Sequence, residues 1–87
     1  MALKRSERTT LSRFNAAMLT ELRENDHKNG WTECTPGWLM QRLWGEVAEL
    51  QEAVVQKKRD PDAIRSEAAD VANFAMMVAD VCGGLKA

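Results

Sequence analysis

The chain has 87 residues and a mass of 9.8 kDa, enough for one domain over 1–87 and too little for two. Its 45% hydrophobic and 29% charged residues suit a globular protein and exclude a disordered one. Twelve Lys and Arg against thirteen Asp and Glu give a formal net charge of -1, which argues against nucleic acid and anionic membranes as partners.

The first predicted helix runs from about Thr10 to about Glu24, with Leu11, Phe14, Met18 and Leu22 on one stripe. The turn-forming run Asn25 to Gly30 ends it. The second opens at Thr35-Pro36, where Thr is a good N-cap and Pro suits the first helical position. It is expected to reach about Lys58, with Lys57, Lys58 and Arg59 at the negative end of its dipole. Asp60-Pro61 repeats the start signal, and the third helix runs to about Cys82, before Gly83-Gly84. No segment alternates with a strand's period of two. The expected fold is all-α: an antiparallel helical hairpin bundle of three main helices.

On the third helix, Ile64, Ala68, Val71, Ala75, Val78 and Cys82 form one stripe, read as core. Glu67, Asp70 and Asn73 descend a neighbouring flank, followed by Phe74, Met77 and Val81. Three helices alone leave that apolar flank facing water, so self-association is expected to complete the bundle. No apolar run approaches the roughly 20 residues of a membrane span. The basic start, Met1 to Arg8, carries no apolar stretch of the secretory kind. Cys34 and Cys82 are far apart, and His27 is the single histidine, which disfavours structural zinc. A reduced, cytoplasmic protein is expected.

The second helix contains an anomaly. Its apolar stripe is Leu39, Leu43, Val47, Leu50 and Val54, and Glu46 projects into the middle of it, with Glu49 on its edge. A buried carboxylate without a partner is very costly. Arg42, one turn earlier, is one candidate partner. It does not answer the second feature, since Glu67 and Asp70 repeat the same i, i+3 spacing on the third helix. Counted from the Arg59-Asp60 turn, Glu49 lies about eleven residues back and Asp70 about ten forward. Antiparallel packing would bring four carboxylates level, where they repel. A hard divalent cation with oxygen ligands resolves that, and Mg²⁺ fits where water and phosphate complete the shell. A ferritin-like di-iron site needs Glu-x-x-His on facing helices, and His27 is not so placed.

The order Gly45-Glu46-Val47-Ala48-Glu49-Leu50, then Glu67-Ala68-Ala69-Asp70-Val71, with seventeen residues between Glu49 and Glu67, preceded by Trp31, Pro36, Leu39 and Leu43, resembles the all-α nucleoside triphosphate pyrophosphatases. These comprise the MazG-like proteins, dimeric dUTPases and dCTP pyrophosphatases. The resemblance covers about Phe14 to Asp80. It implies Mg²⁺-dependent hydrolysis of a (deoxy)nucleoside triphosphate to the monophosphate and pyrophosphate, in a homodimer or homotetramer. Glu46, Glu49, Glu67 and Asp70 are then the catalytic metal ligands. Gly45 departs from the pattern, since many MazG proteins carry a doubled acid there. The residues agree with this chemistry independently, because metal ions neutralise charge on phosphoryl oxygens and activate water. The sequence offers neither a paired covalent nucleophile nor a glycine-rich phosphate loop.

Three further residues are substrate-binding candidates. Trp31, in a polar turn, reads as a platform for the base or as a lid over the core. Lys28 can meet phosphate or simply be solvated. Asn73 has two donors and an acceptor for phosphate, sugar or a ligand carboxylate. Trp38 and Trp44 are expected in the core or in subunit contacts, and Asp80 at solvent or an interface. Gly45, costly inside a helix, is expected where another backbone or a ligand approaches closely. The alternative function is a non-catalytic helical self-association or adaptor module whose acids are salt-bridged.

Overall fold

Each helix begins where a side chain satisfies amide groups that the first turn leaves unpaired. A computed structural model describes residues 2–24 and 30–86, and in it the helices are α1 (Arg5–Glu24), α2 (Pro36–Val54) and α3 (Pro61–Val81), with no strand among the described residues. The Lys4 backbone N–H donates to Glu7 Oε1 at 2.8 Å, the reach-back half of a capping box. This starts α1 five residues before the expected Thr10. Thr35 Oγ1 accepts from the Trp38 N–H at 3.2 Å with Pro36 following. Asp60 Oδ1 accepts from the N–H groups of Asp62 and Ala63, at 3.0 and 3.4 Å.

The helix ends are equally local. α2 stops at Val54 rather than about Lys58, because Arg59 Nε donates to the Val54 carbonyl at 3.0 Å. The basic cluster 57–59 therefore lies in the connection to α3, not in the last turn of α2. α3 closes in a Schellman motif. Gly83 takes φ +83°, its N–H bonds the Asp80 carbonyl, and the Gly84 N–H bonds the Ala79 carbonyl at 2.8 Å.

α3 is the central element, with α1 and α2 both packed on it. The six residues 55–60 return the chain so that α3 lies against α2. Two helices on α3 bury a different stripe from the one expected. Ala69 is fully buried, Met77 is 9% exposed and Asn73 3%, whereas Ala75 and Cys82 are exposed and Ile64, Ala68, Val71 and Val78 half-buried. The flank holding Phe74, Met77 and Val81 is thus not unpartnered, because it faces the other helices.

On α2, Leu39 is fully buried and Glu46 nearly so, at 9% exposure, while Leu43, Val47 and Leu50 are half-buried and Val54 is exposed. On α1, Leu11 is 60% exposed and outside the core. Trp38 and Trp44 are exposed rather than in the core. Among the described residues, nothing beyond its chain neighbours and its own helix backbone lies within 4 Å of a Cβ placed on Gly45, so no close approach by another described segment explains that glycine.

Candidate functional site

Glu46 stands on the core face of α2, and the packing of α2 on α3 sets Glu67 opposite it. One carboxylate oxygen from each of Glu46, Glu49 and Glu67 falls within 4.8 Å of the others. Asp70 lies outside that group of three, yet its charge acts on both Glu46 and Glu67. Arg42 Nη2 approaches Glu46 Oε1 at 3.8 Å, a long ion pair. The guanidinium also lies over the rings of Trp38 and Phe74, 5.9 and 5.5 Å from their centroids. Glu46 Oε2 and Glu67 Oε2 are buried and have no hydrogen-bond partner among the described residues.

This crowding is visible in the acidities. Burial, then a hydrogen bond with Glu49 and the charges of Glu49 and Asp70, push Glu46 up to about 7, against a partial opposing pull from Arg42. Glu67 is raised by burial, by its hydrogen bond with Glu49, and by the charges of Glu49, Asp70 and Glu21. Asp70 is raised to about 6 by burial and by the charges of Glu21, Glu49 and Glu24. Two of these acids, Glu21 and Glu24, come from the end of α1 and were not among the sequence candidates. Glu21 accepts a hydrogen bond from Ser66 Oγ, next to Glu67, and so is held at the α1–α3 contact.

Four carboxylates, those of Glu21, Glu46, Glu49 and Asp70, line a cleft of about 580 Å³, and Glu67 is not among its lining residues. Trp31, Trp38, Leu39, Phe74 and Met77 line the same cleft. Trp31 follows Gly30, whose φ of +63° is a left-handed turn conformation. Its indole Nε1–H donates to Asp80 Oδ2 at 2.8 Å. Asp80 therefore holds the ring at the cleft wall. Asn73 Nδ2 donates to the Met18 carbonyl of α1 at 2.9 Å, and its Oδ1 has no partner among the described residues. Lys28 and His27 lie outside the described residues.

The cleft combines anionic oxygens with flat apolar surface in one lining. Glu21 and Asp80 escaped sequence reading because each acts through a contact between segments far apart in the chain. Comparison with family models, curated proteins and solved structures finds no match to this chain.

Proposed function

We propose that this protein is a Mg²⁺-dependent nucleoside triphosphate pyrophosphohydrolase, releasing pyrophosphate and the nucleoside monophosphate. One observation carries the reading. Three carboxylates converge, two of them with buried oxygens that lack a hydrogen-bond partner among the described residues, and Glu46 and Glu49 of this group line a cleft that Trp31, Trp38 and Phe74 also line. The donor set fits a hard cation, being all oxygen, with Glu46, Glu67 and Asp70 held protonated above the usual carboxylate range by burial and by neighbouring negative charge. Glu46, Glu49 and Glu67 would hold the ion, with Asp70 completing the set. A bound Mg²⁺ supplies positive charge for the phosphoryl oxygens and acidifies a coordinated water.

The chain's own residues do the remaining work. Glu46 and Glu67, held by the packing of α2 on α3, keep their orphaned oxygens in fixed positions. Trp31, its indole N–H tied to Asp80, presents a flat face for a base. Arg42, stacked on two rings beside the acids, can meet phosphate. The antiparallel α2–α3 hairpin and a homodimeric or homotetrameric assembly belong to the same reading.

The alternative, a non-catalytic self-association module with salt-bridged acids, draws on the Arg42–Glu46 pair. That pair reaches one oxygen of Glu46 at 3.8 Å and leaves the other orphaned. The test is a panel of ribo- and deoxynucleoside triphosphates with Mg²⁺, scored for pyrophosphate release. Release from at least one nucleotide, abolished by EDTA, is expected. No release from any of them overturns the proposal.

A further inference from the structure

Asn73 is a buried polar side chain that the folded chain satisfies at one end only. It is 3% exposed and lines the cleft. Its bond to the Met18 carbonyl fixes which end of the amide faces α1, since a backbone carbonyl only accepts. The nitrogen must therefore lie on that side. Oδ1 is turned away from Met18, buried and without a donor among the described residues. A buried acceptor left unmatched is destabilising, and a ligand that brings an O–H or N–H to it removes the penalty. Phosphate, which presents acceptors, does not.

Position along α3 narrows the donor. Asn73 lies three residues beyond Asp70, about 4.5 Å further along the helix axis, and directly before Phe74 of the aromatic wall. Cleavage to monophosphate and pyrophosphate requires the α-phosphate to sit at the carboxylates. The pentose is bonded directly to that phosphate, and the base lies beyond it. The first donor at such a distance is a sugar hydroxyl.

We infer that Asn73 Oδ1 accepts a hydrogen bond from a pentose hydroxyl of the nucleotide, so that Asn73 determines sugar specificity. This rests on the pyrophosphohydrolase reading. The test uses the intact protein and the nucleotide of the panel that is hydrolysed fastest. Its monophosphate is titrated in ribo, 2′-deoxy, 3′-deoxy and 2′,3′-dideoxy forms, with EDTA present, following tryptophan fluorescence. Removing the recognised hydroxyl is expected to weaken binding about tenfold, the size of one hydrogen bond to a buried acceptor, and the two singly deoxygenated forms identify which hydroxyl it is. Asn73→Leu and Asn73→Ala, checked for folding by circular dichroism, should bind all four forms alike.

Equal or undetectable binding of the four forms by the wild-type protein overturns the inference, and this arm needs no variant. Discrimination that persists in a folded Asn73 variant overturns it as well, by assigning the hydroxyl to another residue. In either case pyrophosphate release by the wild-type protein leaves the enzymatic reading standing. Absence of release from every nucleotide removes both.

Discussion

Glu46 occupies a place on α2 where a leucine would bury without cost. Its charge is met at one oxygen by Arg42 and opposed by Glu49 and Asp70. Glu46→Gln keeps the shape and removes one of the crowded charges. The metal-free variant should therefore melt at the same temperature as wild type or higher, while Mg²⁺-dependent pyrophosphate release falls by several orders of magnitude. Hydrolysis by the variant at near wild-type rate would sink the assignment. The same acid predicts a pH dependence. Its ordinary value is 4.5 and its folded value about 7, so between these the native state binds more protons than the unfolded state. Stability of the metal-free protein then falls as pH rises through that window and levels off above it. Asp70, moving from 3.8 to about 6, adds a loss of the same sign at slightly lower pH. Melts in EDTA across this range should show the decline, and Glu46→Gln should flatten its upper part. Added Mg²⁺ should raise the melting temperature most at the alkaline end, where the carboxylates are charged and the ion binds the native arrangement alone. Identical melts with and without Mg²⁺ at every pH would remove the metal site.

At the scale of elements, caps decide where the chain is helical. Thr35 starts the helix that carries Glu46 and Glu49, and its hydroxyl is the acceptor for the Trp38 N–H. Thr35→Ala should cost about 1 kcal/mol, lowering the melting temperature by roughly 4–8 °C for a chain of this size. Pyrophosphate release measured well below the transition should persist, because the carboxylates are positioned by packing on α3. An unchanged melting temperature would show that the cap contributes nothing. The Thr-Pro and Asp-Pro starts and the Gly83-Gly84 stop were legible in the sequence because each is a local hydrogen-bonding device. The start of α1 was not, since its first turn is polar and gives no apolar period. Counting from the connecting turn set Glu49 level with Asp70, whereas the close group is Glu46, Glu49 and Glu67, because equal residue counts fix the height along the helices but not the rotation of each about its axis. The rotation of α3 could not be read, because small residues such as Ala68, Ala69, Ala72 and Ala75 surround it and make several faces equally plausible. The packing of α1 on α3 selects the face bearing Ala69, Asn73 and Met77. That choice also brings Glu21 to the site, which no local pattern announces.

For the whole molecule, the surface is too large for the mass. The chain exposes 6990 Å², where a compact monomer of 9.8 kDa would expose about 5,200 Å². Its radius of gyration is 14.3 Å, against about 12 Å for a compact domain of this length. Among the described residues the almost fully shielded hydrophobic side chains are Leu39, Ala69 and Met77, a small core for three helices. Much of the missing burial is visible on α2. Met40 and Trp44 share one side of it with Val55, the residue that caps its end, and all three are exposed, the last two by 66% and 69%. That side is distinct from the Phe74 and Met77 flank from which self-association was first expected, so the expectation now rests on α2. The excess of about 1,800 Å² is of the order one protomer contributes to an obligate homodimer, whose interfaces bury about 2,000–5,000 Å² in total. We therefore expect sedimentation at micromolar concentration to give at least twice 9.8 kDa. Trp44→Glu places a charge in the middle of the exposed α2 stripe, where burial without a partner is very costly. The variant should shift to smaller species and melt at a lower, more concentration-dependent temperature. Trp44 does not line the cleft, so loss of assembly in this variant would reflect the interface and not a damaged site. A compact wild-type monomer at these concentrations would mean that the three helices stand alone, with their apolar α2 face in water.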